Sequence, residues 1–133
     1  MRILAVLLLL HAAISGGQVS MGFKPGPGIA NPAWLSWWPT NLGQSWLLQQ
    51  LGVTSRAVYA LTGVLWLAAT IGFAVAGIML LISPARPGWA PVAAGSAIIS
   101  LVALGIYVHP WYVGAFALNI ALLAGAAVLG RVQ

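Results

Sequence analysis

From Ala57 to Ala85 the chain carries no charged residue, and none occurs from Pro87 to Gly130. Stretches this long and this apolar cannot present a water-facing side. A membrane span needs about 20 mostly apolar residues, at 1.5 Å of rise each, to cross about 30 Å of hydrocarbon. The rest of the chain agrees. Its only charges are Arg2, Lys24, Arg56, Arg86 and Arg131, with no Asp or Glu, and the mean hydropathy is +1.02. Of the 133 residues, 62% are apolar and 4% charged, against about 45–50% and about 25% in soluble domains. The sequence therefore predicts an integral membrane protein.

The missing residue types exclude much chemistry. Without carboxylates the chain holds no paired-acid glycosidase site and no Ser-His-Asp triad. It offers no carboxylate cage for a hard cation and no Asp/Glu proton relay. Without cysteine it has no thiol, disulfide or iron–sulfur chemistry. The five basic residues are scattered singly, with no basic stripe, so the net charge of +5 reads as membrane-boundary charge and not as a nucleic-acid footprint.

The first apolar run, Ile3 to Leu10, reads either as a signal-peptide core after Arg2 or as part of a span from about 3 to 23. Only the longer reading meets the spanning length, and it is the one adopted. Lys24-Pro25-Gly26-Pro27-Gly28 must be a loop. Residues 30–52 read as an interfacial segment of one or two short helices: Asn31 caps a turn at Pro32, and Thr40 or Asn41 caps a second helix from Gly43 to Leu51. Gly52 suits the C-terminus of that helix. Four of the seven Trp (Trp34, Trp37, Trp38 and Trp46) fall here, and Trp belongs at headgroup depth. Further spans follow at about 57–82, 89–108 and 111–130, separated by breaks at Pro84 and at His109-Pro110. The expected fold is an all-α, single-domain membrane four-helix bundle over residues 1–133, with the interfacial segment between its first two spans. Counting basic loop residues, Arg2, Arg86 and Arg131 on one side outweigh Lys24 and Arg56 on the other. Both termini are then cytoplasmic and the Trp-rich segment lies on the outer face.

Few residues offer chemistry. Small-residue ridges at Ala68/Gly72/Ala76, Ser96/Ser100 and Ala121/Gly125 read as packing seams inside the bundle. Asn119, midway along the last span, needs a partner, either as interhelical glue or as a polar point in a ligand pocket. His11 falls near the middle of the first span and His109 at the outer end of the third. That mismatch in depth argues against bis-His haem, leaving a single axial histidine as the route to haem or pigment. His109, Trp111 and Tyr112, with Trp37 and Trp38, form a candidate pocket rim under a Trp lid. Lys24 and Arg56 are candidate contacts for lipid phosphate or an anionic ligand. No metal site and no resident cofactor are expected.

The run Gln44-Ser45-Trp46-Leu47-Leu48, the later Leu65-Trp66-Leu67-Ala68-Ala69 and the turn His109-Pro110-Trp111 opening a last helix resemble small bacterial four-helix membrane proteins of the DoxX-like class. The resemblance implies a four-helix fold across roughly Met1 to Gly130 and a bacterial inner-membrane location. It implies no particular activity. Where comparable members carry an acidic residue in the last helix, this chain has Asn119.

Two functions fit this reading. One is a non-catalytic accessory or assembly subunit, or scaffold, in contact with the lipid bilayer and a larger membrane complex or its own copies. The other is a binding or transport module for a small apolar ligand such as a quinone, lipid or pigment.

Overall fold

The computed structural model describes residues 1–23, 28–45, 47–85 and 88–129. It is all-helical, with no strand among those residues. Four long helices dominate: α1 (Arg2–Phe23), α3 (Ser55–Ile82), α4 (Trp89–Ile106) and α5 (Val113–Leu129). Each, with its flanking turn, is long and apolar enough to cross a membrane. A one-turn helix α2 (Leu47–Gln50) lies between α1 and α3.

The helix ends follow local chemistry. Ser83, in non-helical geometry before Pro84, ends α3, because a residue preceding proline clashes in helical conformation. Pro91 sits in the first turn of α4, where its missing N–H leaves no bond unmade. His109 is fully extended before Pro110 for the same reason as Ser83. The third span therefore stops at Ile106, two residues before the expected boundary, and a 3-10 turn (Pro110–Tyr112) leads into α5.

The helices run up and down. Antiparallel pairing sets Gly16 of α1 beside Thr70 of α3, and Gly77 beside Leu9 and the Ala5 carbonyl. The core holds Ala5 and Leu8 of α1, Phe73, Ala76 and Leu80 of α3, and Trp89, Ala93 and Ala97 of α4, with Leu122 and Ala126 of α5 partly buried against it. Close approach depends on missing side-chain atoms. A Cβ on Gly72 would fall within 2.0 Å of Ser96 Oγ, and one on Gly77 within 2.9 Å of Leu9 Cγ. Small residues replace bulk at these crossings because dispersion, not hydrophobic drive, binds apolar helices to one another in lipid. The Gly72/Ser96 seam matches the expected internal packing. The Ala121/Gly125 ridge lies at the edge of the bundle: Ala121 is exposed, and both residues border the gap between α5, α1 and the start of α4.

The segment between α1 and α3 departs from expectation. No helix runs from Gly43 to Leu51. Instead Ile29 and Leu42 form an isolated antiparallel bridge, with N···O distances of 2.9 and 3.1 Å, and only Leu47–Gln50 is α-helical. Pro32, not Asn31, occupies the cap position of the first turn, which is a 3-10 turn at Ala33–Leu35. The Asn31 side chain is used elsewhere. Gly52, at φ +71°, does end α2 as expected, where glycine alone adopts the left-handed geometry without strain.

Substituting Gly72 by Leu should push α3 from α4 and cost about 1–3 kcal/mol. Gly72→Ala should cost less, and Gly72→Ala with Ser96→Gly should recover most of the loss. Denaturant unfolding in detergent micelles reads this cycle, and equal effects with and without Ser96→Gly would remove the crossing from the account.

Candidate functional site

Two polar clusters form inside an otherwise apolar molecule. The first lies midway along the bundle. Asn119 of α5, fully buried, donates from Nδ2 to Ser100 Oγ of α4 at 3.1 Å and to the Ala115 carbonyl at 2.8 Å. Its Oδ1 lies 3.4 Å from His11 Nε2 of α1, so His11 carries its proton there and donates. The edge of the His11 ring packs on Phe73 of α3, with centroids 4.6 Å apart and planes at 68°. All four long helices meet at this point.

On α1, His11, Ser15 and Gln18 recur at helical spacing and share one face. That face meets α5. Besides the His11–Asn119 bond, the Tyr112 hydroxyl donates to Gln18 Oε1 at 3.4 Å. Tyr112 closes the 3-10 turn before α5, seven residues ahead of Asn119. The α1–α5 seam is thus stitched by neutral polar side chains, whereas the α3–α4 seam closes on glycine and serine.

The second cluster closes the end of the bundle where α4 turns into α5. His109 is almost wholly buried there. Its Nδ1 accepts the Trp111 backbone N–H at 3.3 Å, which leaves the proton on Nε2. Nε2 donates to Asn31 Oδ1 at 2.9 Å. Asn31 Nδ2 in turn donates to the Thr40 carbonyl at 2.9 Å and the Trp38 carbonyl at 3.5 Å. The Trp38 and Tyr112 rings stand edge-on to His109, with centroids at 6.2 and 6.3 Å. A second pin comes from Ser45, whose hydroxyl donates to the Ile106 carbonyl at 2.9 Å and accepts the Leu48 N–H. Residues 28–45 are thereby tied over the α4–α5 turn, so residue 40 and residue 110 lie at one end of the molecule.

The expected site residues are therefore split. His11 joins Asn119, and His109 joins Trp38 and Tyr112, but the two histidines belong to separate clusters. Trp37 reaches the second cluster only by its edge contact with Trp38, 5.5 Å between centroids, and its own ring is 69% exposed. Trp111 contributes its backbone N–H while its ring is 61% exposed. Both indoles are exposed on short turns. Arg56 is exposed on the first turn of α3. Lys24 and Trp46 lie outside the described residues. Sequence reasoning missed Asn31 and Ser45 as pins and Ser100 and Gln18 as partners. The spacing of His11, Ser15 and Gln18 was the available signal for the α1 stripe.

Chemically, these are neutral hydrogen-bond sets. Both ring nitrogens of His109 are engaged, so in this state it presents no lone pair to a metal and no free base. Compared with protein-family models, curated proteins and solved structures, the chain matches none.

Two outcomes follow. Asn119→Leu leaves His11 and Ser100 facing hydrocarbon and should lower stability in micelles by about 1–2 kcal/mol. Ser100→Ala should cost less, since Asn119 keeps its other two bonds, and denaturation by SDS monitored by circular dichroism orders the two. Burial holds His109 below the ordinary value of 6.5. Above that pH both states are neutral and stability is complete. As pH falls below 6.5 the unfolded chain takes up the proton first, so stability declines. Protonation of Nδ1 also ends its acceptance of the Trp111 N–H. Unfolding midpoints measured from about pH 7.5 to about pH 5, across the histidine range, should fall for the native chain and fall less for His109→Gln.

Proposed function

We propose that this is a small multi-pass membrane protein that works as an accessory or assembly subunit, or scaffold, with no catalytic centre of its own. One observation carries the reading: the outward face of α5. The exposed faces of α1 and α3 carry large side chains suited to lipid, such as Ile3, Leu10 and Ile14, and Val64, Ile71, Val75 and Ile78. The exposed face of α5 carries large side chains too, at Val113, Ile120 and Val128, but between them runs a ridge of Gly114, Ala117, Ala121 and Ala124 at three- and four-residue spacing. These four small residues lie on the side of the helix away from Asn119. Of the four long helices, α5 also buries the smallest share of its length. Within a bilayer, a ridge of small residues lets a second helix approach closely. An apolar face evolved only for lipid has no need of it.

The remaining features fit the same setting. Trp34, Trp37 and Trp111 project outward at the capped end, where indoles sit at headgroup depth. Arg56 at that end would reach lipid phosphate, as would Lys24. The three-to-two count of basic residues supports reading both termini as cytoplasmic in a bacterial inner membrane, in keeping with the DoxX-like likeness of the motifs. A second reading, a module binding a quinone, lipid or pigment beneath the Trp segment, draws on the Trp38–His109–Tyr112 set and the His11–Asn119 pair. An absorption band above that of tryptophan in purified material would favour it.

The subunit reading is tested by placing a photocrosslinking amino acid singly at Ala117, Ala121 or Ala124, and at Ile71 or Val75 of α3. Protein adducts confined to the α5 positions, identified by mass as a partner or a second copy, are the expected result. Lipid adducts alone at all five positions would overturn the reading. Ala121→Leu should leave the helical content unchanged and abolish the protein adduct formed from position 117.

A further inference from the structure

Trp89, the first residue of α4, is 2% exposed. Its indole Nε1 is buried and has no hydrogen-bond partner. A buried donor left unmade is costly, and native structures seldom keep one without reason. Trp89 also lines a void of about 60 Å³ between α1, α4 and α5, bounded by Leu4, Ala93, Ala121, Leu122, Gly125 and Ala126. That space holds one small polar group but no larger moiety.

Beside it runs an open apolar groove of about 510 Å³ between α4 and α5. Gly88, Ala90 and Ala94 form one wall, and Leu123, Ala126 and Ala127 the other. Ala126 lines both the groove and the void. Ala90 and Ala94 are one helical turn apart, as are Leu123 and Ala127, so the groove follows the helix axes. Its walls are made of small side chains where larger ones would close it. It lies at the end of the bundle opposite the His109 cap, beside the first turn of α4.

An occupant that matches both features has a flexible apolar tail and a single hydrogen-bond acceptor at its head, placed at the level of a helix terminus. We propose that the groove and the Trp89 indole together bind one acyl chain of a membrane phospholipid, with an ester carbonyl accepting the Trp89 Nε1–H. The groove takes the hydrocarbon, and the adjoining void takes the carbonyl. Ester carbonyls lie at the boundary between hydrocarbon and headgroups, the depth favoured by tryptophan. A transmembrane helix from another copy fits less well. Its backbone carbonyls are spent on its own hydrogen bonds, so it fills the groove but leaves the indole unpaired. Ala121 borders both the void and the Gly114–Ala124 ridge, but the groove is walled by Leu123, Ala126 and Ala127, so loss of lipid binding leaves the crosslinks expected from positions 117 and 124 untouched.

Native mass spectrometry of the whole protein, delipidated in mild detergent and titrated with dioleoyl phosphatidylglycerol, tests the proposal. The expected result is a single tightly held phospholipid per chain. Trp89→Phe keeps the ring and removes the donor, and should weaken that binding roughly three- to tenfold. Ala94→Trp should fill the groove and abolish it, with Ala127→Phe as a second blocking variant if the first fails to fold. The assigned Trp89 indole proton should shift downfield on lipid addition in NMR spectra. Four results would overturn the proposal: no retained lipid, equal retention in the folded variants, preference for free oleic acid over the phospholipid, or a chain dimer that excludes lipid.

Discussion

The Asn119 side chain holds the bundle in register. It spends both kinds of polar group on α4, α5 and α1 at once, through Ser100, Ala115 and His11. In a chain without a carboxylate, no ion pair can take that role within the bundle, and only neutral amide, imidazole and hydroxyl groups remain. Each is costly to bury alone and modestly favourable when paired. The pairing therefore specifies which faces of α1 and α5 meet more than it adds bulk stability. A one-residue rotation of α5 would take Asn119 from both His11 and Ser100, leaving it only the Ala115 carbonyl of its own helix.

The same economy closes the capped end. His109, Asn31 and the carbonyls of Trp38 and Thr40 form a chain of neutral bonds whose direction is set by one proton. Because Trp111 N–H occupies Nδ1, the imidazole must donate from Nε2, and Asn31 must turn its oxygen toward it. The Trp-rich segment is thus held by side-chain bonds to a turn far away in sequence, with one isolated bridge for internal order. At the opposite end the described residues form no such cap. There the alanine-lined groove lies open above a buried, unpaired Trp89 indole, and the two ends of the molecule meet their surroundings in different ways.

Much of the fold was legible because the physics of spanning helices is local. Uncharged runs of sufficient length, bounded by Pro84 and His109-Pro110, mark the helices to within a few residues. The short segment was less legible. Its geometry depends on Ile29 meeting Leu42 and Asn31 meeting His109, and no pattern within residues 30–52 encodes partners that lie beyond it. The candidate residues divide in the same way. His11, Asn119 and His109 stood out as polar groups in apolar surroundings. Ser100 and Ser45 looked like ordinary small residues until neighbouring helices brought acceptors and donors to them.

The chain by itself determined that four helices form, that they suit a bilayer, and that acid chemistry is absent, because composition and hydrophobic length act without regard to distant contacts. Only the tertiary structure decided that His11 faces Asn119, that Trp37 and Trp111 point outward while Trp38 packs on His109, and that Ala126 of α5 turns to the core while Gly114, Ala117 and Ala124 turn away. The reason is rotational. A helix apolar on all sides carries little signal of which face turns inward, and that choice is made when pairs such as Gly72 with Ser96 and Asn119 with Ser100 fit together.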